Sequence, residues 1–215
     1  MTGLHWRGRL RWRGRHQPGS EIDAEMADGD RWLIVGLGNP GPQFAGNRHN
    51  VGQLCCDELA AEMGVTFKRD RSRAMAATGR LAGCSVVLAK PMSFMNVSGG
   101  PVASLRAFYK LSADRIIVVH DELDLPFGTV RLKLGGGDNG HNGLRSVTSA
   151  LGTRDYHRIR IGIGRPPGRM DPADFVLRDF SPAERKELPE VLGRAAESAR
   201  LLVEHGLATA QNEVH

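Results

Sequence analysis

Two runs of consecutive apolar residues, Trp32-Leu33-Ile34-Val35 and Ile116-Ile117-Val118-Val119, constrain this chain more than any other feature. A strand with one wet face alternates apolar and polar residues, whereas a strand that is apolar throughout needs cover on both faces. Helices provide that cover, and helical periodicity lies between the strands. Val51, Leu54, Cys55, Leu59 and Met63 recur near helical spacing behind Asn50, which reads as the cap of a helix reaching about Met63. Residues 75–81 and 85–89 read as strands around a turn at Gly83, and a second helix ends near Tyr109 with Pro101 at its tolerant start. Thr129 to Leu134 alternates as a strand, Leu144 to Leu151 is a short helix, and Tyr156 to Ile163 is a further strand. Asp171-Pro172-Ala173-Asp174 and Ser181-Pro182-Ala183-Glu184 each offer a capping side chain, a proline at the first helical position and an acid. Leu188, Val191, Leu192, Ala195, Ala199 and Leu202 form the stripe of the last helix, which Gly206 is expected to end. No internal repeat is visible. This order predicts a single α/β domain over residues 31–210, its twisted mixed, mostly parallel sheet flanked by helices, with a tail at 211–215.

Residues 1 to 30 differ from the rest. Arg7, Arg9, Arg11, Arg13 and Arg15 alternate with Gly, Leu, Trp and His, and an acidic, polar stretch follows. A basic arm for nucleic acid is one reading; the preferred one is a disordered extension, or a start placed ahead of Met26. The whole chain carries 29 Lys+Arg against 24 Asp+Glu, a net +5 that suits a polyanionic partner without requiring one. Cys55, Cys56 and Cys84 have neither metal-ligand spacing nor a disulfide framework, as expected of reduced thiols in the cytoplasm. No apolar run approaches membrane-spanning length, and no apolar segment of signal-peptide type follows the basic start.

The first strand opens into Gly36-Leu37-Gly38-Asn39-Pro40-Gly41-Pro42, a literal G-x-G-x-x-G. A dinucleotide fingerprint needs its glycines to open a helix directly and an acid at the end of the next strand, about 20 residues on. Asp57 and Glu58 have that spacing but fall inside a predicted helix, and Pro40 and Pro42 disrupt the turn. A phosphate-binding loop of the G-K-[ST] type is absent too. The loop reads instead as a carrier for Asn39 and His49.

Four polar sites follow apolar elements: Asn39 with His49, Asn96, Asp121, and Asn142. In an open α/β sheet the loops beyond the carboxyl ends of the strands converge on one crevice. An imidazole there can take a proton from water near neutral pH. A carboxylate can fix its tautomer, and carboxamides suit a carbonyl, an amide N–H or a developing oxyanion. His120 and His141 are rival bases, and Cys84, Ser93 and Ser98 are nucleophiles without a recognisable setting. Lys133, Arg145, Arg158, Arg160, Arg165 and Arg169 could hold phosphates or simply edge the fold.

Taken together, Val35 to Gly41 with Arg48-His49-Asn50, Lys90-Pro91 through Phe94-Met95-Asn96-Val97-Ser98-Gly99, His120-Asp121-Glu122-Leu123-Asp124-Leu125, Gly135-Gly136-Gly137 with Gly140-His141-Asn142-Gly143-Leu144, and Arg160 to Gly164 resemble the bacterial peptidyl-tRNA hydrolases. The likeness runs in order from residue 32 to about 210. It implies a monomeric, metal-independent and cofactor-free esterase that cleaves peptide from the 3′ ribose of tRNA. Matched by position, His49 is similar to the family's base, Asp121 to its partner, and Asn39, Asn96 and Asn142 to its substrate-holding asparagines. Met95 is similar to an apolar contact for the peptide, and His141 to a neighbour of the crevice. Lys133 and Arg160 fall where the family clamps the tRNA 5′ phosphate. Phe44 stands where tyrosine is common near the 3′-terminal base, which keeps an aromatic face but no hydroxyl. Asn139 interrupts a glycine- and histidine-rich loop. A non-catalytic RNA-binding relative on the same scaffold is the chief alternative, opposed by His49, Asp121 and the three asparagines together. A nicotinamide-dependent enzyme is a distant third.

Overall fold

The computed structural model describes residues 31–215, so the arginine-rich start, read above as a disordered extension, lies outside the described residues. Seven strands form one sheet: β1 (Trp32–Gly36), β2 (Lys68–Arg69), β3 (Ala74–Leu81), β4 (Cys84–Pro91), β5 (Ile116–Glu122), β6 (Val130–Leu134) and β7 (His157–Gly162). Their order is β2-β3-β4-β1-β5-β7-β6. The four central strands, β4, β1, β5 and β7, pair in parallel, while β2-β3, β3-β4 and β6-β7 are antiparallel. Parallel pairing is thus confined to the middle of a mixed sheet, where both uninterrupted apolar runs lie.

The helices are α1 (Val51–Glu62), α2 (Gly99–Phe108), α3 (Asn142–Leu151), α4 (Pro172–Val176) and α5 (Pro182–Val214). One face of the sheet, carrying Trp32, Ile34, Ile117 and Val119, packs against α1 and α5 through Cys55, Leu59, Ala195, Ala199 and Leu202. The other, carrying Leu33, Val35, Ile116 and Val118, meets Val102 and Leu105 of α2 and Leu144 and Val147 of α3. Each apolar run therefore splits its residues between two cores, which is why neither run alternates.

The glycines of the first loop serve close approach. A methyl carbon on Gly36 would lie 2.2 Å from the Gly52 carbonyl oxygen, and one on Gly52 would lie 2.2 Å from that of Val119. The start of α1 can therefore lie directly on β1 and β5. Asn50 adjoins α1 as expected, but its carboxamide does not cap the helix. Its Oδ1 accepts the Asn39 N–H at 2.9 Å and its Nδ2 donates to the Asn39 carbonyl at 2.9 Å, bracing the loop from within.

Asp171 and Ser181 cap α4 and α5 as their sequences imply, and Ser181 with Glu184 completes a capping box. The last helix departs from expectation. Gly206 takes a non-helical conformation (φ 80°, ψ 174°), yet helix resumes and continues to Val214. The supposed tail is part of that continuation. Gln211 Nε2 donates to the Leu132 carbonyl at 3.0 Å and the Leu132 N–H donates to His215 Nε2 at 2.9 Å, so the chain end covers the backbone of edge strand β6. Among the described residues no helix is long and apolar enough to cross a membrane.

Candidate active site

The chain leaves central β1 toward neighbours on both sides, β4 and β5, and at such a switch point the loops part to leave a crevice. A cavity of about 660 Å³ occupies it. Asn39 follows β1, Met95 and Asn96 follow β4, Asp121 lies within the end of β5, and His141 and Asn142 begin α3; all line the cavity with His49.

Asp121 is the centre of a four-residue arrangement. His49 Nδ1 lies 2.9 and 3.0 Å from its two carboxylate oxygens, and His141 Nε2 lies 3.0 Å from Oδ1. On the far side of its ring, His141 Nδ1 accepts the N–H groups of Gly143 (3.1 Å) and Leu144 (3.3 Å) as the cap of α3. A nitrogen that accepts two amides carries no proton, so the His141 proton is on Nε2 and points at Asp121. His120 is buried, and its Nδ1 donates to the Asp121 carbonyl oxygen at 2.7 Å. His120 Nε2 also lacks a partner but is buried and His120 does not line the crevice, so His49 Nε2 is the free ring nitrogen among the lining imidazoles. Burial alone would raise the Asp121 pKa, but His49 and His141 hold it far below the usual carboxylate range. Burial likewise opposes a charged His49, yet the Asp121 charge and hydrogen bond outweigh it and raise the pKa above the ordinary histidine value. His120 is driven the other way, to about 3, by burial and then by neighbouring His141, and stays neutral.

The carboxamides are polarised by their partners. Asn39 Oδ1 accepts the Met95 N–H at 2.8 Å, which turns the Asn39 amino group to the crevice as a donor. Asn96 and Asn142 are exposed on its rim; Asn142 Oδ1 accepts from Arg145 at 3.3 Å. Met95 is buried in the wall. Phe44 is not itself a lining residue: it meets the exposed Phe94 edge to face, ring centroids 6.4 Å apart, and Phe94 lines the cavity.

Among the described residues that line the crevice there is no Ser, Thr, Cys or Lys. Ser93 and Ser98 donate to the backbone carbonyls of Val97 and Met95, and the Cys84 thiol points to the Val203 carbonyl on the α5 side. Burial pushes the Cys55 and Cys56 thiols up, Cys56 to about 12. No hydroxyl, thiol or amine side chain is therefore placed to attack a bound carbonyl. His49, Asp121 and His141 bring potential ligand atoms within 4.8 Å of one another. A neutral imidazole ligating through Nε2 must carry its proton on Nδ1, which the two amides facing His141 forbid. The donor set does not fit a metal ion.

Lys133 and Arg160 lie apart from this centre, at the β6-β7 edge beyond the loop 135–141. The register pairs Lys133 with Arg158 and Arg131 with Arg160, placing four cations on one face. Arg158, grouped above with possible phosphate ligands, is buried and spends its guanidinium on the Gly136 and Gly137 carbonyls. Lys133 is exposed, and Arg160 Nε donates to Glu122 at 3.1 Å.

Two residues without an assigned role in the sequence reading hold the site. Arg48 is buried; it donates to the carbonyls of Arg178 (3.3 Å) and Asp179 (2.7 Å), pairs with Glu184 at 2.6 Å, and stacks 4.3 Å over Phe175. It fastens the turn of His49 to the α4–α5 connection. Glu122 is a buried acid that closes an apolar strand just after His120 and Asp121, and an acid in that position is the signal by which it could have been singled out.

A family model described as "Peptidyl-tRNA hydrolase" matches residues 33–215. The chain is 66% identical over 184 residues to a peptidyl-tRNA hydrolase of Frankia casuarinae, covering 86% of this chain and 93% of that one. It is 63% identical over 188 residues to that of Frankia alni, covering 87% and 95%. The crystal structure of peptidyl-tRNA hydrolase from Acinetobacter baumannii superposes with a TM-score of 0.81 at 37% identity, over 86% of this chain and 95% of that chain. The chain belongs to the peptidyl-tRNA hydrolase family.

Proposed function

We propose that this protein hydrolyses the ester joining a peptide to the 3′ ribose of tRNA, with water as the nucleophile and His49 as the base. The observation that carries this reading is a crevice that holds a carboxylate-bound imidazole with one free nitrogen and no hydroxyl, thiol or amine nucleophile. His49 Nε2 takes a proton from water as its oxygen bonds to the ester carbonyl carbon. The Asn39 amino group donates to the resulting oxyanion. The carbon–oxygen bond to the ribose then breaks, and the leaving 3′ oxygen takes the proton from the His49 imidazolium. Asn96 and Asn142 hold the first peptide units, and Met95 packs beside them. Phe44, with Phe94 against it, supplies an aromatic face for the 3′-terminal base, and Lys133 and Arg160 bind the 5′ phosphate of the acceptor stem.

The test is release of free tRNA from an N-blocked aminoacyl-tRNA in the presence of EDTA. Full activity is expected, and loss of turnover with chelator would sink the water-and-base reading. Neutral carboxamides also predict a preference. A blocked amine offers an uncharged N–H, whereas a free α-amino group is partly protonated near neutrality. N-acetylated substrate should therefore be cleaved well ahead of the unblocked ester, and equal rates would refute that role for Asn96 and Asn142.

A further inference from the structure

Arg158 ties the basic edge to the start of the 135–141 loop through the Gly136 and Gly137 carbonyls, and Glu122 ties the same edge to the end of the loop nearer His141. Its Oε2 accepts from Arg160 Nε at 3.1 Å, on the basic edge, and from Asn139 Nδ2 at 3.2 Å, in the loop that ends in His141. Its Oε1 accepts the Asp124 N–H at 3.2 Å. All three partners are donors, and the carboxylate is buried against the crevice wall. Because Arg160 is held through Nε, its two terminal nitrogens have no hydrogen-bond partner among the described residues. That is the end a phosphate takes bidentately. Asn139 has a left-handed backbone (φ 49°) between Asp138 and Gly140, and the Asp138 carbonyl accepts the His141 N–H at 2.8 Å. The tether from Glu122 thus reaches within two residues of the histidine that donates to Asp121.

We propose that Glu122 is a positioning residue that couples 5′-phosphate binding to catalysis: one carboxylate oxygen aims Arg160 at the phosphate and pins the His141 loop. This rests on the reading of Arg160 as a phosphate ligand. Glu122→Gln is nearly isosteric but has a single acceptor oxygen, so its amino group must face a donor on one side or the other. Asn139→Gly removes only the loop tether and keeps the left-handed conformation accessible.

The experiment measures kcat and kcat/KM on N-acetylated aminoacyl-tRNA with its 5′ phosphate and after enzymatic dephosphorylation. Wild type should favour the phosphorylated substrate by about tenfold in kcat/KM, the scale of one charge-assisted contact. Glu122→Gln should lose most of that ratio and also lose kcat on both substrates. Asn139→Gly, in a surface loop, should lose kcat while keeping the ratio. If Glu122→Gln retains the wild-type ratio, or Asn139→Gly retains wild-type kcat, the coupling is wrong although Arg160 still binds phosphate. If wild type shows no preference at all, the reading of Arg160 itself fails and the coupling fails with it.

Discussion

His49→Ala should lower kcat by about 10²–10⁴-fold, the usual contribution of a positioned general base, while leaving affinity for tRNA unchanged. The structure separates these effects. The imidazole bonds to Asp121 and lies 4.9 Å from the His141 ring, whereas the turn that carries it is held by its neighbours. Arg48 ties that turn to residues 178–184, and Asn50 braces the Asn39 loop. Removing the ring leaves both anchors, and Asp121 keeps the His141 N–H, so no buried charge is stranded. The β6-β7 cations are on another element and should bind the acceptor stem as before. Single-turnover cleavage together with filter binding of a non-hydrolysable N-blocked aminoacyl-tRNA would measure both quantities. Turnover within tenfold of wild type would remove His49 from the mechanism.

Much of the fold and site can be read from local pattern because the decisive features are local. Apolar runs without alternation demand cover on both faces, and proline after a capping residue marks where a helix begins. A polar residue at or beyond the end of such a strand falls at the open end of the sheet, which is why Asn39, His49, Asn96 and Asp121 converge on one crevice; Asn142 reaches it only because the loop 135–141 returns from the far end of antiparallel β6. What stays hidden is the pairing of donors with acceptors across long separations. Arg48 finds its carbonyl at Asp179, 131 residues away, and Asn139 finds Glu122 across a loop. Asn50 has the chemistry of a helix cap, but a backbone partner on Asn39 wins its carboxamide. Arg158 has the same side chain as exposed Arg145 and Arg165, yet it is buried and spends its guanidinium on the loop it holds. Gly206 breaks the helical conformation as a glycine can, but the β6 backbone beyond it rewards a further turn.

Asp121→Asn should be nearly as damaging as loss of the base, and for a reason set by His141. The His141 proton is locked on Nε2 and points at the Oδ1 position, so an asparagine must place its carbonyl oxygen there. Its amino group then takes the Oδ2 position, 3.0 Å from His49 Nδ1 in the native arrangement. Nδ1 can then keep its proton only by sharing the one carbonyl oxygen, 2.9 Å away, with His141; where it accepts from the amino group instead, Nε2 carries the proton and has no lone pair for water. A wrong tautomer of this kind lowers kcat by about 10⁴-fold in a serine-protease triad, and a loss approaching that of the His49 variant is expected here. The pH profile supplies a second, independent readout. In wild type the active form is neutral His49; Asp121 raises the pKa, so the acid limb of kcat should lie above the unperturbed histidine value. Without the carboxylate, burial acts on His49 unopposed and favours the neutral ring. The limb of the residual activity should move to lower pH even as the plateau collapses. A collapsed plateau with an unmoved limb would mean that Asp121 orients His49 without setting its charge, and an intact plateau would mean that it does neither.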